Sequence, residues 1–441
     1  MKRTSLAGLL LVVALSVAGA QAQTPQTKSP SPRPEPRAER ESEDNEAPTP
    51  LRVVLVTRVA SQKEAAGPAA TERHGDPLAA SARILSPPQI QSRIAEAERL
   101  LKSRPLQTAK NSPAIDLVTI AALDRNTSRI HLITVYKEVF LTKGSEITAP
   151  SSLGDTLSIR VLRANGVNTA VAIFDNQGRS LVPLVVEFPI EKRGVFREMA
   201  YYTSAHPALL SPDLSRSGRA YIHRMIDLAA KRLKEKGTVI SPQIVDVAER
   251  LCLVEHVDHD RFRLENRLAL FDEIYSLFAL NEPDTYRYSV SSAGAGGMVQ
   301  MIPWAYNLVR QRHPGLGLTP DFVVGMRNHA NALQAMLLYM QDTWADLAAN
   351  EDVQYALSAK LATQTELLAA GYNSNAAKLP LYIRRGGASW KTLIPRETQI
   401  YLQIYRTLEA LVPQKPHSTA TAQHSHVNRE AVTAYSPGLP R

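Results

Sequence analysis

Glu282 is the side chain in this sequence whose type and position best suit proton transfer. It follows an apolar run that ends at Leu280, and Ile274 and Phe278 share its helical spacing, so the carboxyl is expected on the apolar side of its helix. A carboxyl removed from water keeps its proton to higher pH, as a general acid near neutral pH must. Pro283 disfavours helical geometry at the residue before it, which predicts that the helix ends at Glu282. The alternative is an ordinary helix-end glutamate that reaches water.

A stretch of small residues follows this carboxyl, reading SSAGAGG over 291–297. Gly294 and Gly297 allow main chain to approach a ligand closely. One carboxylate beside such a loop is typical of a site that cleaves glycans.

Three motifs in order resemble those of the lytic transglycosylase family, the lysozyme-like enzymes that cleave peptidoglycan strands. The first is Glu282 with Ser291 nine residues on and the loop and helix start GAGGMVQMIP over 294–303. The second is AGYN over 370–373, and the third is PRETQIY over 395–401. Any one of them is a weak signal, whereas their ordered occurrence between about Arg267 and Leu411 is specific.

The resemblance implies a role for each matching position. Glu282 would be the single catalytic acid/base, and the sugar-binding residues would be Ser291, Gln300, Tyr372 and Asn373, with Tyr372 near Glu282. Gly294, Gly297 and Glu397 would support the site. Asp284 is the nearest second carboxylate, but the family's reaction uses one acid, unlike the usual glycosidase pair.

The implied reaction cleaves the MurNAc-GlcNAc β-1,4 bond and leaves a 1,6-anhydro-MurNAc end, without a cofactor or metal ion. Two alternatives remain open: a goose-type muramidase that hydrolyses the same bond, and a non-catalytic peptidoglycan-binding protein on the same fold. The mass of the product separates the first, because the anhydro end is one water lighter, and binding without turnover identifies the second.

Other polar clusters predict less. The run EHVDHD over 255–260 places His256 and Asp260 four residues apart, but no distant ligand set is indicated. Packing or a helix C-terminal charge is the favoured use of the two histidines in this run, His256 and His259. His417, His424 and His426 fall in a polar, proline-containing tail and are expected to bind nothing specific.

The N-terminus predicts export. Residues 1–22 have a basic start, an apolar stretch and an Ala20-Gln21-Ala22 cleavage site, as in a signal peptide cut after Ala22. The mature protein is then expected to be periplasmic or secreted, with no transmembrane segment. The net charge of +9 favours anionic envelope polymers over nucleic acid as partners. The expected partner is the peptidoglycan glycan strand; an envelope assembly and the oligomeric state are left open.

The patterning predicts a multidomain α+β chain. Residues 23–50 read as a disordered linker and 413–441 as a disordered tail. Alternating strands within 51–205, with a turn at Asn165-Gly166, predict a mainly antiparallel β accessory domain, a sandwich-like module or small barrel. Pro183 and Pro189 place its last strand at an edge. Residues 206–412 carry helical periodicity and are predicted to form an all-α, lysozyme-like catalytic domain.

Overall fold

A computed structural model describes residues 85–106, 108–109, 112–286 and 293–417, without the side chains of 108, 109, 112 and 113. The predicted signal peptide, the 23–50 linker, residues 51–84 of the predicted β domain and Ser291 lie outside the described residues. Of the predicted tail, 413–417 are described.

The strands lie between residues 108 and 202, within the predicted β domain, and a short helix, Lys137–Phe140, interrupts them. Their bounds are β1 (Thr108–Ala109), β2 (Ser112–Pro113), β3 (Leu117–Leu123), β4 (Ile130–Tyr136), β5 (Glu146–Pro150), β6 (Thr156–Arg163), β7 (Ala170–Phe174), β8 (Ser180–Lys192) and β9 (Val195–Tyr202). Strands β3 to β9 form a seven-stranded antiparallel sheet in the order β4-β3-β8-β7-β6-β5, with β9 paired to β8. A bridge between Ile133 of β4 and Ser151 brings the two ends of this order together, so the sheet is nearly closed.

Local sequence explains these strands. In β6, Leu157, Ile159 and Val161 are buried while Ser158 and Arg160 are exposed, the period-two pattern of a strand with one face on the core.

The position of β8 corrects one prediction. It pairs with β3, β7 and β9 and is therefore an interior strand, not an edge. Pro183 is tolerated because it pairs with Ala122 where the β3–β8 register shifts, which is where a missing N–H disturbs the ladder least.

The helices agree with two capping predictions from the sequence, that Ser241 before Pro242 begins a helix and that Gly237 follows the end of one. Their bounds are α1 (Pro87–Lys102), α2 (Lys137–Phe140), α3 (Pro212–Glu235), α4 (Pro242–Val254), α5 (His259–Leu264), α6 (Arg267–Leu280), α7 (Pro303–Arg312), α8 (Phe322–Arg327), α9 (His329–Ala348), α10 (Glu351–Ser358), α11 (Gln364–Asn373), α12 (Leu379–Gly386) and α13 (Arg396–Leu411). Ser241 caps α4 by accepting a hydrogen bond from the Ile244 N–H, and Gly237 follows α3 with φ +88°.

Helical periodicity also predicts one continuous helix over 261–282 and another over 321–349, and each is divided in the structure. The expected helix over 261–282 forms α5 and α6, because Asn266 caps a new helix by accepting from the Ala269 N–H. The expected helix over 321–349 forms α8 and α9, because Asn328 does the same for the Asn331 N–H. Short polar side chains can compete with the helical backbone for hydrogen bonds, and periodicity alone does not detect this.

One hydrophobic core runs from the sheet into the helices. At the junction, the Asn281 side chain accepts from the Thr203 N–H at 3.0 Å and donates to its carbonyl at 2.8 Å. This pair fixes the end of α6 against the end of β9. Among the described residues, no helix has both the length and the apolar character needed to cross a bilayer.

The contact between α3 and α6 gives a prediction about stability. A Cβ atom added at Gly218 would lie 1.8 Å from the Tyr275 carbonyl oxygen, so Gly218→Ala must push the two helices apart. We expect the free energy of unfolding of Gly218→Ala, measured by urea denaturation, to be about 3 kcal/mol lower than that of the wild type. Gly315→Ala is the control, since nothing lies within 4 Å of its added Cβ, and it should stay within about 1 kcal/mol of wild type. Equal stability of the two variants would contradict this account of the helix contact.

Candidate functional site

Residues from all three motifs line one cavity of about 1100 Å³. Its lining includes Gln300 after the glycine loop, Tyr372 and Asn373 at the end of α11, and Glu397 in the first turn of α13. Glu255, at the end of α4, also lines the cavity, as do Asp342 and Asp346 of α9. We call this space the Glu255 cavity.

Glu255 is positioned by helix geometry and by a partner distant in sequence. It is the C-terminal cap of α4, so its side chain projects from the end of a buried helix. The Tyr401 hydroxyl of α13 donates a hydrogen bond to its Oε1 at 2.6 Å. Burial raises the pKa of Glu255 to about 8, a shift that Tyr401 opposes and the nearby charge of Glu397 reinforces. The carboxyl therefore holds its proton at neutral pH.

The glycine loop is fixed against the same helix end. The Nε2–H of His256 donates to the Met298 carbonyl at 2.9 Å, and the Tyr372 hydroxyl donates to the Val299 carbonyl at 2.6 Å. Since a carbonyl only accepts, the His256 proton is assigned to Nε2. Burial lowers the pKa of His256 to about 4, so the ring stays neutral while it makes this bond.

Gly297 and Gln300 give this loop its shape. Gly297 has φ +71°, and a Cβ there would lie 2.4 Å from the Met326 carbonyl oxygen, so no larger residue fits. Gln300 has φ +46°, and its side-chain amide donates to the Gly297 carbonyl at 2.8 Å. Gly294 also has positive φ, at +80°. Gln300 therefore lines the cavity and is only partly buried.

The remaining walls suit a ligand with both polar and flat apolar surfaces. Asn373 is held by the Thr398 hydroxyl, which donates to its side-chain oxygen at 2.8 Å. Tyr339 packs edge-on against Tyr372 with ring centroids 5.9 Å apart. Trp304 lines the cavity and is 65% exposed, which is unusual for a tryptophan. Amphipathic rings of this kind offer an apolar face beside polar contacts.

Glu282 lies in a different cavity, of about 550 Å³, between α1, β9 and the end of α6. Its Oε1 accepts a hydrogen bond from the Gln91 amide of α1. Burial raises the pKa of this carboxyl, while the Gln91 bond and the charge of Arg224 lower it. Asp284 lines the same cavity. The structure thus groups Gln300, Tyr372, Asn373 and Glu397 with one another but not with Glu282. Ser291 lies outside the described residues.

Glu255 is not among the site residues predicted from the sequence. It ends an apolar helix, after the buried residues Leu253 and Val254, which is the same pattern that indicates Glu282. The sequence therefore contains a signal for Glu255, although the run over 255–260 on its own favours packing or a helix-end charge. Tyr401, the partner that orients the carboxyl, is 146 residues away in sequence.

The arrangement can donate and recover a proton next to a bound polar ligand. It combines a carboxyl that stays neutral near pH 7, a loop whose backbone approaches the cavity, and amide and hydroxyl groups. Comparisons with known protein families, with curated proteins and with solved structures found no match for this chain.

The Tyr401 contact gives a prediction about the Glu255 pKa. Its hydrogen bond favours the ionised carboxyl, so Tyr401→Phe should raise the pKa of Glu255 above its wild-type value, as measured by carboxyl-carbon NMR titration. Tyr405→Phe, one turn further along α13, is the matched control and should leave this titration unchanged. An unaltered Glu255 titration in Tyr401→Phe would contradict the assigned contact.

Proposed function

We propose that this chain is an exported peptidoglycan lytic transglycosylase with a lysozyme-like catalytic domain, and that Glu255, not Glu282, is its general acid/base. The observation that supports this most strongly is the grouping of Gln300, Tyr372, Asn373 and Glu397 around Glu255. These residues come from all three motifs that resemble the family. Glu282 as the catalytic acid stays a prediction from the sequence, and the experiment below tests it.

In the first step, Glu255 would act as the acid. With Tyr401 on Oε1, the remaining oxygen, Oε2, would donate its proton to the glycosidic oxygen as the C1–O bond of MurNAc breaks. The substrate's own N-acetyl oxygen would attack C1 from the other side. A single carboxylate then suffices, because the substrate provides the nucleophile.

In the second step, Glu255 would act as the base. Its carboxylate would take the proton of the MurNAc C6 hydroxyl while that oxygen attacks C1 and displaces the N-acetyl oxygen. The product is a 1,6-anhydro end, and Glu255 regains the proton with which it started. Gln300 and Asn373 would bond the sugar hydroxyl and N-acetyl groups, and Trp304 and Tyr339 would pack against the rings.

Variants of the two carboxyls provide the main test. We expect Glu255→Gln to reduce muropeptide release from purified sacculi by at least about 100-fold, because it removes the proton donor at unchanged size. Glu282→Gln should release muropeptides at close to the wild-type rate and serves as the matched control. Mass spectrometry of the wild-type products should find anhydro ends.

Each other outcome would reject part of the proposal. Loss of activity in Glu282→Gln with retention in Glu255→Gln would return the acid role to Glu282. Products heavier by one water would identify a hydrolytic muramidase. Binding to sacculi without any release would identify a non-catalytic binding protein.

The raised pKa of Glu255 predicts the pH dependence of the reaction. The acid is active only while protonated, so the rate should be maintained below about pH 8 and fall above it, by about tenfold per pH unit. A pH–rate profile for soluble peptidoglycan fragments measures this. A falling limb near pH 4.5, the ordinary value for a glutamate, would contradict the assignment.

A further inference from the structure

Four side chains from separate parts of the chain meet beside α3 and α4. His223 and Asp227 lie on α3, Glu249 lies on α4, and His417 belongs to the segment that follows α13. We call them the His417 cluster. His417 was expected to lie in a tail that binds nothing specific, but it is buried here.

The donor atoms of the His417 cluster are close together. His223 Nδ1 and His417 Nε2 lie 2.9 and 2.5 Å from the same oxygen, Oε2 of Glu249. His417 Nδ1 lies 2.6 Å from Asp227 Oδ1. One ligand atom each from His223, Asp227 and His417 fall within 4.8 Å of one another. The two imidazole rings stack at 4.3 Å. Each faces Asp227 with one nitrogen, His223 Nε2 at 3.7 Å and His417 Nδ1 at 2.6 Å, and faces Glu249 with the other.

Charge and burial make this grouping unusual. Glu249 has a side chain only 1% exposed, and a buried carboxylate needs positive charge beside it. A bound metal ion requires neutral imidazoles, and one divalent cation would then balance the charges of the two carboxylates. Two imidazole nitrogens and one carboxylate oxygen also match the ligands that a zinc ion accepts.

We propose that the His417 cluster is a zinc site with ligands from His223, Asp227 and His417, and with a water molecule as the fourth ligand. Donors of a tetrahedral zinc ion lie about 3.4 Å apart, so the closest pair, His417 Nδ1 and Asp227 Oδ1, needs to separate by only about 1 Å. Asp227 is exposed and His223 is partly exposed, which gives the ion a path from solvent. The ion replaces the direct bond between His417 and Asp227, while Glu249 keeps its bonds to the other nitrogen of each imidazole ring.

The zinc ion connects the segment after α13 to the helical core. The His417 N–H already donates to Asp246 Oδ1 on α4 at 3.0 Å, so both the backbone and the ring of His417 are held there. Helix α4 also ends at Glu255. The metal therefore connects residues 413–417 to α3, while Asp246 and Glu249 hold His417 against the helix that ends at the proposed acid. This inference does not depend on the proposed activity.

Metal titration of the full chain tests the site. After removal of metal with a chelator, ZnCl₂ alone is added and followed by isothermal titration calorimetry. We expect one strong site per chain, with affinity reduced by at least about 100-fold in Asp227→Asn and in His223→Ala. Zinc should also raise the melting temperature of the wild type but not of these variants, and it should slow amide exchange at His417.

Matched variants and other ions complete the design. The double variant His424→Ala/His426→Ala removes the remaining tail histidines and should bind zinc as the wild type does. If His223→Ala fails to fold, His223→Gln replaces it, because it keeps a hydrogen-bonding side chain. Mn²⁺ and Ca²⁺ should bind more weakly, since imidazole ligands favour zinc over them.

Three outcomes would overturn the proposal. The first is no strong zinc binding by the wild type. The second is binding that survives Asp227→Asn and His223→Ala but is lost in the tail double variant. The third is Ca²⁺ binding as tight as that of zinc. The first would leave the His417 cluster as a set of hydrogen bonds.

Discussion

A carboxyl group removed from water must either lose its charge or gain a positive partner. Glu255 loses its charge by holding its proton. The nearby charge that acts on it is that of another carboxylate, Glu397, and its hydrogen bond comes from a neutral phenol, Tyr401. Burial thus dominates, and the group stays protonated at a pH where an exposed glutamate would be ionised. The rest of the site is arranged around this neutral acid.

Two contacts bring separate parts of the chain to that helix end. His256, the neighbour of Glu255, bonds the Met298 carbonyl of the glycine loop, while Tyr401 connects Glu255 to α13. Tyr372 then bonds the Val299 carbonyl and connects α11 to the same loop. One helix end therefore fixes the loop and α13 directly, and α11 through the loop, so a change at His256 is expected to disturb the loop and its contact with α11.

The sequence predicted local features well and long-range ones poorly. The alternation in β6 and the caps Ser241 and Gly237 depend on neighbouring residues, and the structure confirms them. The edge position of β8 was wrong, because Pro183 is accommodated by a register shift set by its partner strand. Within the site, the grouping of Gln300, Tyr372, Asn373 and Glu397 in one cavity agrees with their shared resemblance to one family.

The acid and the His417 cluster could not be predicted in this way. A buried apolar helix precedes both Glu255 and Glu282, and periodicity does not reveal which helix end faces the loop. His417 lies 168 residues from Glu249, and no local pattern indicates that they meet. Both cases depend on tertiary contacts, which a single sequence does not encode in its spacing.

A crystal structure of Glu255→Gln with an uncleaved GlcNAc-MurNAc tetrasaccharide would test the central claim most directly. The account predicts that the glycan occupies the Glu255 cavity, with a glycosidic oxygen about 3 Å from the side-chain amide introduced at position 255. A glycan in the other cavity, with its glycosidic oxygen beside the Glu282 carboxyl, would contradict it.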